Sequence, residues 1–373
     1  MTSIPITATS PSALLTALRT GDGPEAPVVV IDLDAPFALG DLVELAAHAT
    51  GASWVLIGRA EHSLPLEPVV AAAFDVLLCG EPDPPRPWCP ARALARGAPA
   101  DPRPAPHPAP PTELGDLVDH LVAEILASPA AAVALVQLLR SGESLPVADA
   151  VVAESWVYSL LQTGSRYTEW LGERTRRSRR PEPVGDVVRL ERQDDILRIA
   201  LDRPEVRNAF SVRLRDELVA ALDLLTLDPT IARAELRGRG PAFSSGGDLG
   251  EFGTAPDPFT AHLIRTTRSV GLGLARHADR VVSFVHGTCV GAGVELPAFT
   301  RTVIAHPGTT FRLPEVAMGV VPGAGGTASI PRRIGRHRTA ALAISGRLLD
   351  APTALRWGLV DQLDATAFPE EQP

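Results

Sequence analysis

Three turns rich in small residues fall between positions 240 and 326, and two of them carry one glutamate each. The first, Gly240-Pro241-Ala242-Phe243-Ser244-Ser245-Gly246-Gly247-Asp248-Leu249, follows an apolar run. The second, Gly287-Thr288-Cys289-Val290-Gly291-Ala292-Gly293-Val294-Glu295-Leu296, holds Glu295. The third, from Arg312 to Gly326, holds Glu315. Small residues let the backbone turn sharply and approach another group closely. Two such loops can aim bare N–H groups at one oxygen, and two glutamates can move protons beside it. That is equipment for chemistry next to a carbonyl that must carry negative charge.

A chain of 373 residues with 45% apolar residues can bury a large core and has room for two domains. No apolar run reaches the length of a membrane span, and Met1-Thr2-Ser3-Ile4-Pro5 has no charged or apolar leader pattern. No membrane partner and a cytoplasmic location are therefore expected. The formal charge of −9 argues against nucleic acid as a partner. Cys79, Cys89 and Cys289 are too few and scattered for a disulfide framework or a metal site. The sequence contains no lysine, which excludes lysine Schiff-base and lysine nucleophile mechanisms.

Two breaks divide the chain. Gly97 to Pro111 is proline-rich and reads as a linker; Arg174 to Pro183 is charged and proline-ended. Ahead of them, Val28 to Leu33 and Trp54 to Gly58 read as strands around a helical stretch at Leu42 to His48. Val69 to Leu78 reads as a helix running into a strand. Between the breaks, Leu117, Leu121, Ile125 and Leu126 recur at helical spacing, and Pro129 starts a further helical run. Beyond them, Val187 to Leu190 and Ile196 to Leu201 flank a hairpin turn, after which helices and strands alternate. Such alternation implies a mostly parallel α/β sheet.

Five segments of this last part resemble, in order, the crotonase (enoyl-CoA hydratase/isomerase) superfamily. They are Leu201 to Ala209, Ala242 to Leu249 (AFSSGGDL), His286 to Leu296 (HGTCVGAGVEL), Pro314 to Thr327 (PEVAMGVVPGAGGT) and Ser345 to Asp361. The resemblance implies a ββα spiral core over residues 184–364, followed by a short tail, 365–373. It implies an oxyanion hole from the backbone N–H groups of Ser245 and Ala292, with Glu295 and Glu315 as the acid/base pair. Around them, Phe243, Ser244, Gly247, Asp248, Gly291 and Arg203 are expected to contact substrate or CoA. The position of Ala292 is usually glycine in the family. An isolated Glu295 would read as a helix N-terminal acid, Glu315 as a turn carboxylate, Asp248 as a helix cap and His286 and Cys289 as structural.

The chain departs from the family at both ends of that core. Few residues follow Asp361, whereas Asp116 to Arg174 resembles the helices that normally close the site. Residues 112–183 are therefore expected to supply those helices. Residues 1–96, a smaller α/β part, resemble a shortened crotonase copy without glycine turns or catalytic carboxylates. The function implied is a lyase that adds or removes water at the α–β bond of an acyl-CoA or carrier-protein thioester. No cofactor is implied beyond CoA as part of the substrate, no metal, and a homo-oligomer, trimer or hexamer. The alternatives are an isomerase, hydrolase or decarboxylase of secondary metabolism, or a non-catalytic acyl-CoA-binding subunit.

Overall fold

The computed structural model describes residues 10–19, 26–49, 51–94, 114–173 and 185–368. The proline-rich linker, the arginine-rich break and the last five residues of the tail lie outside the described residues.

The chain enters through α1 (Pro11–Arg19) and forms a parallel sheet from β1 (Val28–Asp32), β2 (Val55–Ala60), β3 (Val76–Cys79) and β4 (Cys89–Pro90), with α2 (Leu39–Ala49) and α3 (Pro68–Ala71) between strands. The period of two in a strand decides what each face meets. Val29, Ile31, Leu56 and Leu77 share a core with Leu14, Leu42 and Leu45 of α1 and α2. Their neighbours Val28, Val30, Val55, Ile57 and Val76 belong to the main core with Leu117, Leu121 and Leu135. Both faces are covered, which is why these strands read as unbroken apolar runs.

Four helices follow: α4 (Leu114–Ala127), α5 (Pro129–Gly142), α6 (Val147–Leu161) and α7 (Ser165–Glu173). Proline opens α5 and precedes α6, where its missing N–H costs nothing. Among the described residues no single helix is long and apolar enough to cross a membrane.

The third part starts with the expected hairpin, β5 (Val188–Gln193) and β6 (Ile196–Leu201), turning through Asp194 at φ 54°. It continues through α8 (Val212–Leu227), β7 (Arg233–Gly238), α9 (Pro258–Thr267), α10 (Val270–Arg276), β8 (Val281–Val285), β9 (Thr288–Val290) and α11 (Ala292–Glu295). Then come β10 (Thr302–Ala305), β11 (Thr310–Arg312), α12 (Gly326–Ile334), α13 (Arg336–Ser345), β12 (Leu349–Asp350), α14 (Ala351–Trp357) and β13 (Gln362–Leu363). One sheet runs β13-β10-β8-β7-β6-β5, parallel but for the hairpin; a second runs β12-β11-β9. This is the mixed α/β architecture the sequence implies.

The helices α4 to α6 lie between the small sheet and this part, touching β1, β2 and β3 on one side and α12 and α13 on the other. Polar groups fasten the seam. Arg140 on α5 makes a two-pronged pair with buried Asp75, at 2.8 and 2.6 Å. Arg336 on α13 donates to the carbonyls of Phe74 and Ala72, and Arg338 to those of Trp88 and Pro84. Arg336 and Arg338 are buried and Arg140 is partly buried, and all three donate to backbone carbonyls of the first part.

Candidate active site

The loop after β6 and the first glycine turn are built as one unit by Asn208. Fully buried at φ 53°, it accepts from Arg203 N and donates to the carbonyls of Arg239 and Ala242. Phe210 then bridges Gly247 in parallel fashion: Phe210 N donates to Gly246 O at 2.7 Å and Asp248 N to Phe210 O at 3.0 Å. In that pattern the flanking groups face the partner and the bridged residue's own N–H points the other way. Gly247 borders the cavity, and its N–H has no acceptor among the described residues.

This corrects the expectation for Ser245. Its N–H donates to Arg207 O at 2.8 Å and its hydroxyl to Val206 O, so it has no amide to offer a ligand. Gly247, two residues on, presents the unbonded one.

The second turn supplies its counterpart. Gly291 takes φ 49°, donates to Arg312 O and accepts from Val294 N and Glu295 N. Ala292 opens α11 with an N–H that has no partner among the described residues. The positive φ falls on Gly291, so alanine at 292 carries no strain. The two turns press together: a Cβ on Gly246 would lie 2.7 Å from Val290 O, and one on Gly293 2.4 Å from Ser244 O.

Gly291 also brings the two glutamates together. A Cβ there would lie 2.5 Å from Glu315 Oε1 and 3.8 Å from Glu295 Oε1. Glu295 is 2% exposed, and its Oε2 accepts from Ala324 N at 2.7 Å and Gly326 N at 2.8 Å. Burial raises its pKa to about 7, against the pull of those two donors. Glu315 has only its own backbone N–H and, among the described residues, no donor from a facing turn. Its buried Oε2 has no hydrogen-bond partner among the described residues, and burial plus the charge of Glu295 holds its pKa well above the carboxylate range.

A third buried carboxylate, absent from the sequence expectations, completes the cluster. Glu154 on α6 accepts from Gly325 N at 2.7 Å, Thr327 N at 2.8 Å and the Thr327 hydroxyl at 2.7 Å. Four successive N–H groups, 324 to 327, thus alternate between Glu295 and Glu154 at the start of α12. Burial, then the nearby Glu295 charge, raises the Glu154 pKa to about 8. The sequence of α6 has no clear apolar stripe that would have marked Glu154; its burial is seen only in the structure. Glu154 shares the buried face of α6 with Val151, Ser155 and Tyr158, where an acid needs a reason.

These groups surround a cavity of about 450 Å³, bordered by Gly247, Ala292, Glu295 and Glu315 and closed by Glu154 and Tyr158. Apolar walls come from Val151, Phe210, Phe252, Ile264 and Val270. Phe259 and Leu263, from the same stretch as Phe252 and Ile264, are exposed and do not border it.

Three further expectations are corrected. Phe243 is a core side chain, 1% exposed, and Ser244 donates its hydroxyl to Asn208 O; neither borders the cavity. Arg203 is buried rather than reaching for a phosphate, donating to Ala209 O and to Asp248. Asp248 borders the cavity and caps the turn after it by accepting from Gly250 N. His286 bonds Gly240 O, and Cys289 is fully buried with its thiol pKa pushed up.

The enoyl-CoA hydratase/isomerase family profile matches residues 191–372. The 2,3-dehydroadipyl-CoA hydratase of Escherichia coli K12 is 32% identical over 174 residues, covering 47% of this chain and 68% of that protein. The chain belongs to the enoyl-CoA hydratase/isomerase family. A mevalonyl-coenzyme A hydratase of Beauveria bassiana is 31% identical to this family member over 198 residues, covering 50% of this chain and 69% of its own. Among solved structures, enoyl-CoA hydratase subunit I of Geobacillus kaustophilus is 28% identical. It covers 50% of this chain and 72% of its own, with a TM-score of 0.46. The family match thus begins after the amino-terminal sheet and the four helices, yet this hydratase/isomerase draws Glu154 and Tyr158 from that preceding stretch.

Proposed function

We propose that this crotonase-type enzyme hydrates an α,β-unsaturated acyl thioester, and dehydrates the β-hydroxy form in reverse. One observation carries the reading: two buried carboxyls bracket Gly291 beside the unbonded N–H groups of Gly247 and Ala292. The thioester oxygen accepts from both amides, which hold the enolate charge as it develops; one such donor is worth on the order of 3 kcal/mol in the barrier.

The glutamates divide the proton work by environment. Glu295, stabilised as an anion by two N–H donors, takes a proton from water as the water oxygen bonds to the β-carbon. The double-bond electrons move to the α-carbon and thioester oxygen. Glu315, protonated near neutrality, delivers its proton to the α-carbon. The balance is one water added, with one proton gained by Glu295 and one lost by Glu315. An isomerase needs only one such group, so two buried acids at one cavity favour hydration.

CoA or a carrier-protein arm bears the acyl group in this reading, and copies of the chain form a homo-oligomer. The test is loss of the enoyl absorbance of crotonyl-CoA with mass identification of the hydrated product. An unhydrated, positionally shifted or hydrolysed product overturns the reading.

A further inference from the structure

Beyond the catalytic groups, the cavity holds a polar corner that the hydration chemistry leaves unused. Arg265 on α9 borders it. Its Nε donates to Ser155 Oγ at 3.0 Å, and its Nη2 to Ser155 O at 3.2 Å and to the Ser159 hydroxyl. These bonds tie α9 to α6 and leave Nη1 without a partner among the described residues. No carboxylate lies within ion-pair distance of the guanidinium among them either. The nearest acid felt through space is Glu154, whose oxygens are already occupied by Gly325 and Thr327.

The guanidinium sits 4.7 Å over the ring of Tyr158. Tyr158 is 9% exposed and borders the cavity, yet its hydroxyl has no hydrogen-bond partner among the described residues. Burial holds the phenol in its protonated, donating form. Beside it, Gln162 also borders the cavity. At this corner of the cavity, among the described residues, a partly buried cation without a counter-ion and an accessible hydroxyl without a protein partner lie side by side, beside the apolar walls of Val151 and Ile264. A ligand anion satisfies both at once.

We propose that the cavity selects acyl thioesters whose chain ends in a carboxylate, which pairs with Arg265 Nη1 and accepts a hydrogen bond from Tyr158. This rests on the thioester reading above for the occupant, and it adds the polar end of that occupant. A charge-assisted pair inside a low-dielectric pocket is stronger than a neutral contact, so discrimination falls on the end group rather than on chain length alone.

The experiment compares saturated acyl-CoAs ending in carboxylate or in methyl, over a series of matched chain lengths, by calorimetric binding to the full chain. The corresponding enoyl-CoAs are compared by kcat/KM. The expected result is a preference of about tenfold or more for the carboxylate at some length, equivalent to one charged contact. Arg265→Gln brings that ratio to near one, and Arg265→Lys keeps part of it. Tyr158→Phe, which retains the ring beneath the guanidinium, lowers it by a smaller factor. Methyl-ended thioesters bound as tightly at every length, or a preference that survives Arg265→Gln, overturn the proposal. If neither enoyl series is hydrated, the hydratase reading fails and the binding ratio alone decides this one.

Discussion

Glu295 and Glu315 border the same cavity, but only Glu295 receives two N–H donors from a facing turn, and in the proposed reading that difference divides their work. Glu315→Gln keeps the shape and removes the proton. It should lower kcat by about a thousandfold while acyl-CoA affinity changes little, within the range for general acid catalysis; stopped-flow turnover with calorimetric binding separates the two. The pH profile follows from the signs. Glu295 must be ionised to act as base, so kcat/KM for hydration rises as pH passes about 7. Glu315 must be protonated to act as acid, so activity falls again above its raised pKa. The limbs belong to the coupled pair. A profile flat through neutrality removes this division. Both glutamates were legible because each stands in a glycine-rich turn that composition alone makes unusual. The choice between the amides of Ser245 and Gly247 was not. It depends on which residue falls opposite Phe210, and the buried contacts of Asn208 set that register.

At the scale of elements, the turn from Gly323 to Thr327 is where α6 and the third glycine turn meet. Gly291 tests how tightly the glutamates are packed. Gly291→Ala puts a methyl 2.5 Å from Glu315 Oε1 and a side chain at φ 49°. The expected outcome is at least a hundredfold loss of kcat, from a displacement of the acid by an ångström or less, with a stability cost of about 1–2 kcal/mol. Glu154 tests the other side. Its folded pKa, about 8, lies above the ordinary value of 4.5. Its contribution to stability is therefore full below the ordinary carboxylate range and is lost as pH rises through about 8. Denaturant unfolding across this range should show that decline, with Glu295 and Glu315 adding to it in the same direction, and Glu154→Gln should make it shallower; an unchanged slope means the carboxyl titrates normally. A helical segment over residues 112–183 was expected. The role of its acid was not, because the groups Glu154 holds lie more than a hundred residues further along the chain.

For the molecule as a whole, the stretch before Val188 holds the fold together as well as bordering the cavity. Arg140→Ala removes the two-pronged partner of buried Asp75 and leaves it Leu56 N and the more distant Arg336, at 3.6 Å, which should cost about 3 kcal/mol in chemical denaturation. A chain cut before residue 185 loses α4 to α7, exposes apolar residues of α12 and α13, and lacks Glu154; it should be insoluble or inactive. A soluble, fully active fragment would contradict this account of the helices. Residues 1–96 remain, in our proposal, a shortened crotonase copy, with which four successive parallel strands are compatible. The proline and arginine runs on which the expected division into three parts rests lie outside the described residues. The seam was hidden: Arg336, His337 and Arg338, three adjacent basic residues, are all buried and bond carbonyls of the first part.

Because the carboxylate clamp on residues 324 to 327 joins groups separated by 171 positions in one arm and 29 in the other, turnover can begin only after the most distant segments have met. Partly assembled chains should be catalytically silent rather than weakly active. Recovery of activity during refolding should therefore lag behind the return of helix signal and report the last docking event.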